Sequence, residues 1–166
     1  KNLSLREWSS TAYKGAKSFV PISFILVFAF GIGNVTGELK TGVYLSTLAT
    51  ENVNPYFLAG SIFLLSSLMS FSTGTSWGTF SIMIPIAIPM AVGMDTDVAL
   101  AIGAVISGGV FGDHCSPISD TTIISSMASD CEVMDHVKTQ LPYALISGVI
   151  ALSLFIIFAI DPMQYL

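Results

Sequence analysis

A polar run, GGVFGDHCSPISDTT at residues 108–122, interrupts an apolar region that extends over residues 98–128. It places Asp113, His114 and Asp120 between two hydrophobic stretches, each too short to span a bilayer alone. Ionisable groups at membrane depth cost several kcal/mol and generally mark a path for ions, protons or substrate. Backbone that leaves a helix there is tolerated only where protein buries it or where it lines a cavity. The run therefore predicts a transport site on a discontinuous helix.

The composition predicts an all-α integral membrane protein. Of 166 residues, 52% are hydrophobic and only 10% are charged, against roughly 25% charged in a soluble domain. Six Lys and Arg residues without a basic cluster offer no footprint for nucleic acid. Cys115 and Cys131 are predicted to be unpaired thiols. The chain starts without methionine and shows no secretory signal pattern, and we expect it to be part of a longer protein.

The apolar pattern divides the chain into an interfacial N-terminal segment, residues 1–17, and a transporter repeat, residues 18–166. Ser4 and Glu7 have the spacing of a capping box, which predicts a short helix in the first segment. In the repeat we expect a span, a lateral helix with a loop, a helical hairpin, the discontinuous helix and a last span. These elements are placed at residues 18–36, 38–54, 55–92, 98–128 and 139–160.

The hairpin is predicted because residues 55–92 would form roughly 57 Å of helix, which is too long for one crossing. Its middle, TGTSWGT at residues 73–79, is polar and contains two glycines. We interpret it as two half-helices that enter the membrane and return, with two full crossings as the alternative. A polar loop is placed at residues 129–138. Four of the six basic residues precede the first span, which predicts cytoplasmic positions for the N-terminal segment and for this loop.

Proline is the predicted cause of the helix break. Pro117 has no N–H for the carbonyl group four residues back, and its ring clashes there. Gly112 is predicted to open the turn, so that the first half-helix ends with free carbonyl groups at residue 111. Ser119 or Asp120 can then N-cap the second half-helix, whose free N–H groups form a positive end. A cation is expected at the first end and an anionic group near the second.

Asp113 and Asp120 are the candidate ion ligands because alkali cations prefer oxygen. A carboxyl group in low dielectric favours its proton, so Na⁺ and H⁺ compete for it, and we expect Na⁺ at Asp113. For both residues the alternative is a carboxylate that caps local N–H groups. Histidine side chains ordinarily titrate near neutral pH, so His114 is a candidate proton relay, with a hydrogen bond to a backbone carbonyl as the alternative.

The polar middle of the hairpin supplies further candidates. Neutral hydroxyl oxygens suit a weakly held ion that must leave again, and glycines let the backbone approach another element. The alternative is an ordinary contact between helices. The candidates are Thr73, Gly74, Thr75, Ser76 and Thr79.

The two motifs, SGGVFGDHCSPISDTTIISS and SFSTGTSWGTFSIMIPIAIPMA, resemble those of the NhaC-type sodium/proton antiporter family of the ion transporter superfamily. The resemblance covers roughly residues 14–160 of the chain. It implies one half of an inverted-repeat transporter, with a re-entrant hairpin whose tip meets the helix break near the middle of the bilayer. The positions that match the family pattern are Thr73, Gly74, Thr75, Ser76, Asp113, His114, Ser116, Pro117, Ser119, Asp120 and Thr121.

The resemblance implies a secondary transporter that exchanges Na⁺ for H⁺ across a bacterial-type cytoplasmic membrane, without enzyme activity or a cofactor. Two alternatives are a Na⁺- or H⁺-coupled exchanger of a small carboxylate or amino acid and a non-transporting membrane fragment or subunit. A zinc enzyme built on Asp113, His114 and Cys115 is disfavoured because neighbouring side chains point apart and no second histidine lies nearby. The expected partners are Na⁺, H⁺, the lipid bilayer and the N-terminal repeat, with a homodimer as an option.

Overall fold

The computed structural model describes residues 4–18 and 54–160, with single positions between them at 20, 24, 27, 28, 31, 35, 38–40, 44 and 47. In these residues all regular structure is helical, as predicted. The predicted elements at residues 18–36 and 38–54 fall mostly outside them. The helices are α1 (Leu5–Ser18), α2 (Leu58–Thr73, preceded by a turn at Pro55–Phe57), α3 (Ser76–Gly93), α4 (Val98–Cys115), α5 (Asp120–Ala128) and α6 (Val133–Ile160).

The N-terminal helix α1 begins at the predicted capping box, which is confirmed. The backbone N–H and the hydroxyl of Ser4 donate to the Glu7 carboxylate at 2.9 and 2.8 Å, and the Glu7 N–H donates to Ser4 Oγ at 3.3 Å. The hydrogen bond from the Ser4 backbone, followed by that from its side chain, lowers the pKa of Glu7. Its location at the membrane interface stays a prediction.

Replacing Ser4 with alanine is expected to raise the pKa of Glu7 toward the ordinary value of 4.5, because one of its two donors is lost. A lowered carboxyl pKa stabilises α1 above the ordinary pKa, and that contribution is lost as the pH falls through the lower value. NMR titration of the Glu7 side chain in detergent micelles measures both variants. Ser9→Ala, whose hydroxyl bonds to the Arg6 carbonyl instead, is the control; an identical Glu7 pKa in wild type and Ser4→Ala would refute the assignment.

Four helical segments of the described residues are long and apolar enough to cross a membrane: Pro55–Thr73, α3, α4 and α6. The predicted hairpin is present as α2 and α3, joined by Gly74 and Thr75. Its arms contain 16 and 18 residues, or about 24 and 27 Å of helix. Each arm therefore has nearly the length of a full crossing, and the re-entrant path stays a prediction.

Helix α4 is the centre of the bundle, and α2 runs parallel to it at close range. A β-carbon on Gly108 would collide with the Phe63 carbonyl oxygen, and one on Gly112 with the Ser67 carbonyl oxygen. Both contacts join residues 45 positions apart, as expected for two parallel helices in one register. Small residues at such contacts let helix backbones approach closely in a membrane.

The prediction that Gly112 opens the break is therefore wrong. Helix α4 continues through it and ends four residues after the predicted end at residue 111, at Cys115. Glycine is required here because the backbone of α2 occupies the space of a side chain. Pro117, rather than Gly112, accounts for the end of the helix, since the residue before a proline is disfavoured in the helical conformation.

Helix α6 packs antiparallel against α4 and also contacts α2. A β-carbon on Gly103 would lie 3.7 Å from the Phe155 ring, and Gly148 lies against the ring of Phe111. The Phe63 ring, from α2, fills the space between the helices, with its centroid 5.8 Å from that of Phe111 and 5.7 Å from that of Phe155. These contacts join three helices around the half of α4 that precedes the break.

Helix α6 begins at Val133, six residues before the predicted span at residues 139–160. The predicted polar loop at residues 129–138 is correspondingly shorter. The second half of this predicted loop is helical because Asp135 lies in the first turn of α6, near the positive end of the helix, and pairs with Lys138 at 3.5 Å.

Candidate functional site

The predicted discontinuity of residues 98–128 is confirmed: four non-helical residues, 116–119, separate α4 from α5. Ser116 leaves the helix with φ −81° and ψ 128°, the extended conformation expected before Pro117. Its N–H donates to the Asp113 carbonyl at 3.1 Å, so this carbonyl is not free, contrary to the prediction. Of the two predicted N-caps for α5 the structure selects Ser119, whose Oγ accepts the Thr121 N–H at 3.2 Å.

The carboxyl group of Asp113 bridges the break. Asp113 lies in the last turn of α4 and is only 4% exposed. Oδ1 accepts a hydrogen bond from Ser119 Oγ at 2.8 Å, and Oδ2 accepts one from Thr121 Oγ1 at 2.9 Å. The two hydroxyl oxygens lie 2.8 Å from each other. A buried acid and two hydroxyls thus form a closed cluster, which we call the Asp113 cluster.

The Asp113 cluster has three oxygen–oxygen contacts and only two hydroxyl protons. Each hydroxyl group donates one hydrogen bond and accepts up to two. If Asp113 is ionised, Ser119 and Thr121 both donate to it, and no proton is left to form a hydrogen bond between the two hydroxyl oxygens. If Asp113 is protonated, the carboxyl proton completes a ring in which every contact is a hydrogen bond. The hydrogen bonding of the cluster therefore depends on the proton at Asp113.

The tip of the hairpin touches the break. Gly74 has φ +67°, and a β-carbon on it would lie 2.8 Å from the Ile118 carbonyl oxygen. Both the left-handed backbone and the contact require glycine at this position. Thr75 follows as the N-cap of α3, with its hydroxyl accepting the Gly78 N–H at 3.4 Å. The tip and the break therefore meet, as the resemblance implies.

The register with α6 gives the level of the site along the bundle. Because Phe111 packs against Gly148 in antiparallel helices, Asp113 lies level with α6 near residue 146. That level is roughly 8 Å inside the apolar segment that starts at Leu141, and roughly 7 Å from its middle. The carboxyl group therefore lies within the apolar length of the bundle, displaced toward residues 129–138.

The remaining predicted ligands are not members of the Asp113 cluster. Ser116 is fully buried, and its Oγ accepts the Ile118 N–H at 3.4 Å. The Thr73 hydroxyl instead donates to the Met69 carbonyl of its own helix at 2.9 Å. Asp120 is exposed at the first position of α5. In residues 54–160, no hydrogen bond joins the Asp113 carboxyl group to Thr73, Gly74, Thr75, Ser76, Ser116 or Asp120, and ion binding by these residues stays a prediction.

His114 adopts the predicted alternative. Its Nδ1 lies 2.9 Å from the Val110 carbonyl oxygen, one turn earlier in α4. The exposed ring faces a groove of about 540 Å³ between α4 and α6, beside Gln140 and Tyr143. Among the hydrogen bonds of the described residues, none links the imidazole to Asp113, so a proton-relay role for His114 stays a prediction.

The donors at the break are oxygens, which suit an alkali cation. Asp113, His114 and Cys115 follow one another in α4, so that their side chains leave the helix about 100° apart. Across residues 4–18 and 54–160 there is no cluster of three or more His, Cys, Asp or Glu side chains able to hold a metal ion. The geometry therefore offers nothing that resembles a zinc centre in this part of the chain.

Two buried hydroxyl residues of α5 were absent from the predicted site. Thr122 is 2% exposed and Ser126 is 1% exposed. Together with Ser119 they have the spacing i, i+3, i+7, which places all three on one face of a helix. This spacing is visible in the sequence and is the signal that would have identified them.

The chain is similar to several longer proteins. It is 47% identical over 145 residues to a protein of Haemophilus influenzae without an assigned function, covering 87% of this chain and 28% of that protein. It is 32% identical to a malate-2H⁺/Na⁺-lactate antiporter of Bacillus subtilis, covering 92% of this chain and 32% of that protein. It is also 32% identical to the Na⁺/H⁺ antiporter NhaC of Alkalihalophilus pseudofirmus, covering 63% of this chain and 22% of that protein.

The chain thus spans a third or less of the length of these relatives. No solved structure matches it. The model of the Na⁺/H⁺ antiporter family matches residues 1–160, which include the hairpin, the break and the Asp113 cluster. The resemblance inferred from the two motifs is confirmed, and the chain belongs to the Na⁺/H⁺ antiporter family.

Proposed function

We propose that this chain is the ion-binding part of a secondary transporter that exchanges Na⁺ for H⁺ across the cytoplasmic membrane. The observation that carries the proposal is the buried Asp113 carboxyl group, held at a helix break by two hydroxyls. An ionised acid at that depth is costly unless a partner neutralises it, and a proton and Na⁺ can both do so. Membership of the antiporter family supports the same assignment.

The exchange follows from the Asp113 cluster. With a proton, the carboxyl group, Ser119 and Thr121 form a ring of three hydrogen bonds. When Na⁺ replaces the proton, Asp113 ionises, and the two hydroxyls turn so that their lone pairs face the cation. The last turn of α4 favours a cation here because it is the negative end of the helix. One charge replaces another, so the buried site stays neutral in both states and releases one ion as it takes up the other.

Exchange of an organic anion is less well supported by the site. An anion of that kind needs a cationic partner, and the Asp113 cluster offers a carboxyl group and two hydroxyls. Lys138 is the single Lys or Arg side chain in residues 54–160, and it pairs with Asp135 in the first turns of α6. Counterflow of labelled malate, lactate and arginine in the same vesicles would reveal such transport. Na⁺-dependent proton flux without counterflow is the expected result.

Removing the hydroxyl of Ser119 is expected to raise the KM for Na⁺ about tenfold, equivalent to about 1.4 kcal/mol. Ser119→Gly is the sharpest variant because glycine is nearly as good an N-cap as serine but has no oxygen to offer the ion. Ser119→Thr keeps both functions and should resemble wild type. The measurement is dequenching of a pH-sensitive dye by Na⁺ in everted vesicles. A KM that is the same for Ser119→Gly and wild type would exclude Ser119 as a ligand.

A further inference from the structure

The inward face of α5 consists of hydroxyl groups, whereas its exposed positions include two large apolar side chains. Ser119, Thr122 and Ser126 are each at most 2% exposed. Ile124 and Met127, on the other side of the helix, are 66% and 74% exposed. Hydroxyl groups, rather than apolar side chains, thus face the interior, which is the reverse of a helix on the surface of a soluble protein. A polar lining toward the protein interior is the arrangement of a helix that borders a water-filled or ion-conducting path in a membrane.

Thr122 has a buried hydroxyl group without a hydrogen-bond partner in the part of the chain that the structure describes. Its two neighbours on the same face are paired: Ser119 donates to Asp113 at 2.8 Å, and Ser126 donates to the Ile123 carbonyl at 2.8 Å. Buried polar groups are nearly always hydrogen-bonded, and an exception requires an explanation. The missing partner of the Thr122 hydroxyl would be explained if its oxygen binds a passing ion or a water molecule of the ion's hydration shell.

The row of hydroxyls on α5 joins two polar sites. At one end Ser119 belongs to the Asp113 cluster. At the other end Ser126 lines a depression of about 460 Å³ together with Met127, Cys131 and two acidic residues, Asp130 and Glu132. The axial distance from Ser119 to Ser126 is about 10.5 Å, with Thr122 about 4.5 Å from the first. Carboxylates at the mouth of a depression raise the local concentration of cations.

We propose that Thr122 Oγ1 is a transient ligand for hydrated Na⁺ on a path between the Asp113 cluster and the depression at Asp130 and Glu132. The inference rests on the proposed Na⁺/H⁺ exchange and adds to it a route on the side of residues 129–138. Neutral hydroxyl oxygens replace part of the hydration shell without holding the ion so tightly that it cannot leave. Thr122 then contacts Na⁺ on its way to the Asp113 cluster and is not part of the site where Na⁺ and H⁺ compete.

Thr122→Val retains the shape of the side chain and removes its hydroxyl. In vesicles carrying the whole protein we expect the KM for Na⁺ to rise about fivefold, with a melting temperature equal to or above that of wild type, because no hydrogen bond is lost. Thr122→Ser should restore the wild-type KM. Thr139→Val is the matched control, since its exposed hydroxyl bonds only to carbonyls of its own helix. An unchanged KM in Thr122→Val would overturn the proposal.

Thiol labelling tests the path independently of transport. In a whole protein that also carries Cys115→Ser and Cys131→Ser, Thr122→Cys should react with a small cationic, water-soluble thiol reagent, and Na⁺ should slow the reaction. Ile124→Cys, which is far more exposed but on the opposite face of α5, away from the row of hydroxyls, should not react. Absence of labelling at Thr122→Cys would overturn the path. Na⁺-sensitive labelling of Thr122→Cys in a protein that moves no protons would support the path and refute the proposed exchange.

Discussion

Asp113→Asn is expected to abolish Na⁺-dependent proton flux in everted vesicles that carry the whole protein, with expression at the wild-type level. The loss should be at least about 100-fold, equivalent to about 2.7 kcal/mol in activation free energy. An asparagine side chain has the same shape but cannot ionise or exchange a proton. Its amide N–H can take the place of the carboxyl proton in the ring with Ser119 and Thr121, so the variant imitates the protonated state and has no proton to release to Na⁺.

Asp135→Asn is the matched control for this experiment. It makes the same chemical change at an exposed carboxylate in the first turn of α6, whose ion-pair partner is Lys138 at 3.5 Å. Exposed pairs of this kind contribute little to stability, so flux and expression should both equal those of wild type. The readout is dequenching of a pH-sensitive dye after Na⁺ addition. Undiminished dequenching in Asp113→Asn would remove Asp113 from the exchange.

Among the glycines of α4, replacement of Gly112 by alanine is expected to cause the largest loss of stability. The new carbon would collide with the Ser67 carbonyl oxygen and lie 2.9 Å from the Phe71 backbone nitrogen, and neither can move without displacing α2. Overpacking typically costs about 1–3 kcal/mol, and a collision with backbone should reach the upper end of that range. Displacement of α2 also separates Gly74 from Ile118, so transport should fall as well.

Gly103→Ala provides the comparison within the same helix. Its added carbon would lie 3.7 Å from the Phe155 ring, an ordinary contact distance. Alanine is also the better helix former by about 1 kcal/mol, so this variant should be as stable as wild type or more stable. Thermal unfolding followed by size-exclusion chromatography in detergent measures both. Equal melting temperatures for the Gly112→Ala and Gly103→Ala proteins would show that α2 and α4 are not packed as described.

Some of the site could be predicted because its causes are local in the sequence. The ring of Pro117 constrains the residues beside it, so the break was evident without knowledge of the fold. Ser119 could be named as a candidate N-cap because a cap depends on the two or three residues that follow. Asp113 was identifiable because an acidic side chain within an apolar segment usually marks a path or site for an ion, a proton or a substrate.

Other features depended on tertiary contacts. Whether Gly112 opens a turn or lets another helix approach is decided by α2, which lies 45 residues earlier in the chain. The choice of Ser119 and Thr121 as the two donors to Asp113 required the geometry of the break. The start of α6 at Val133 was missed because polar first turns carry no hydropathy signal, although Asp135 is well placed at a helix N-terminus.

The most direct test of the account counts protons during Na⁺ binding. Purified whole protein in weakly buffered detergent solution is titrated with NaCl, and the protons released are measured with a pH indicator, using choline chloride as the control salt. Competition at Asp113 predicts release of about one proton for each Na⁺ bound, and neither binding nor release in Asp113→Asn. Na⁺ binding without proton release, or the same release from Asp113→Asn, would contradict the account.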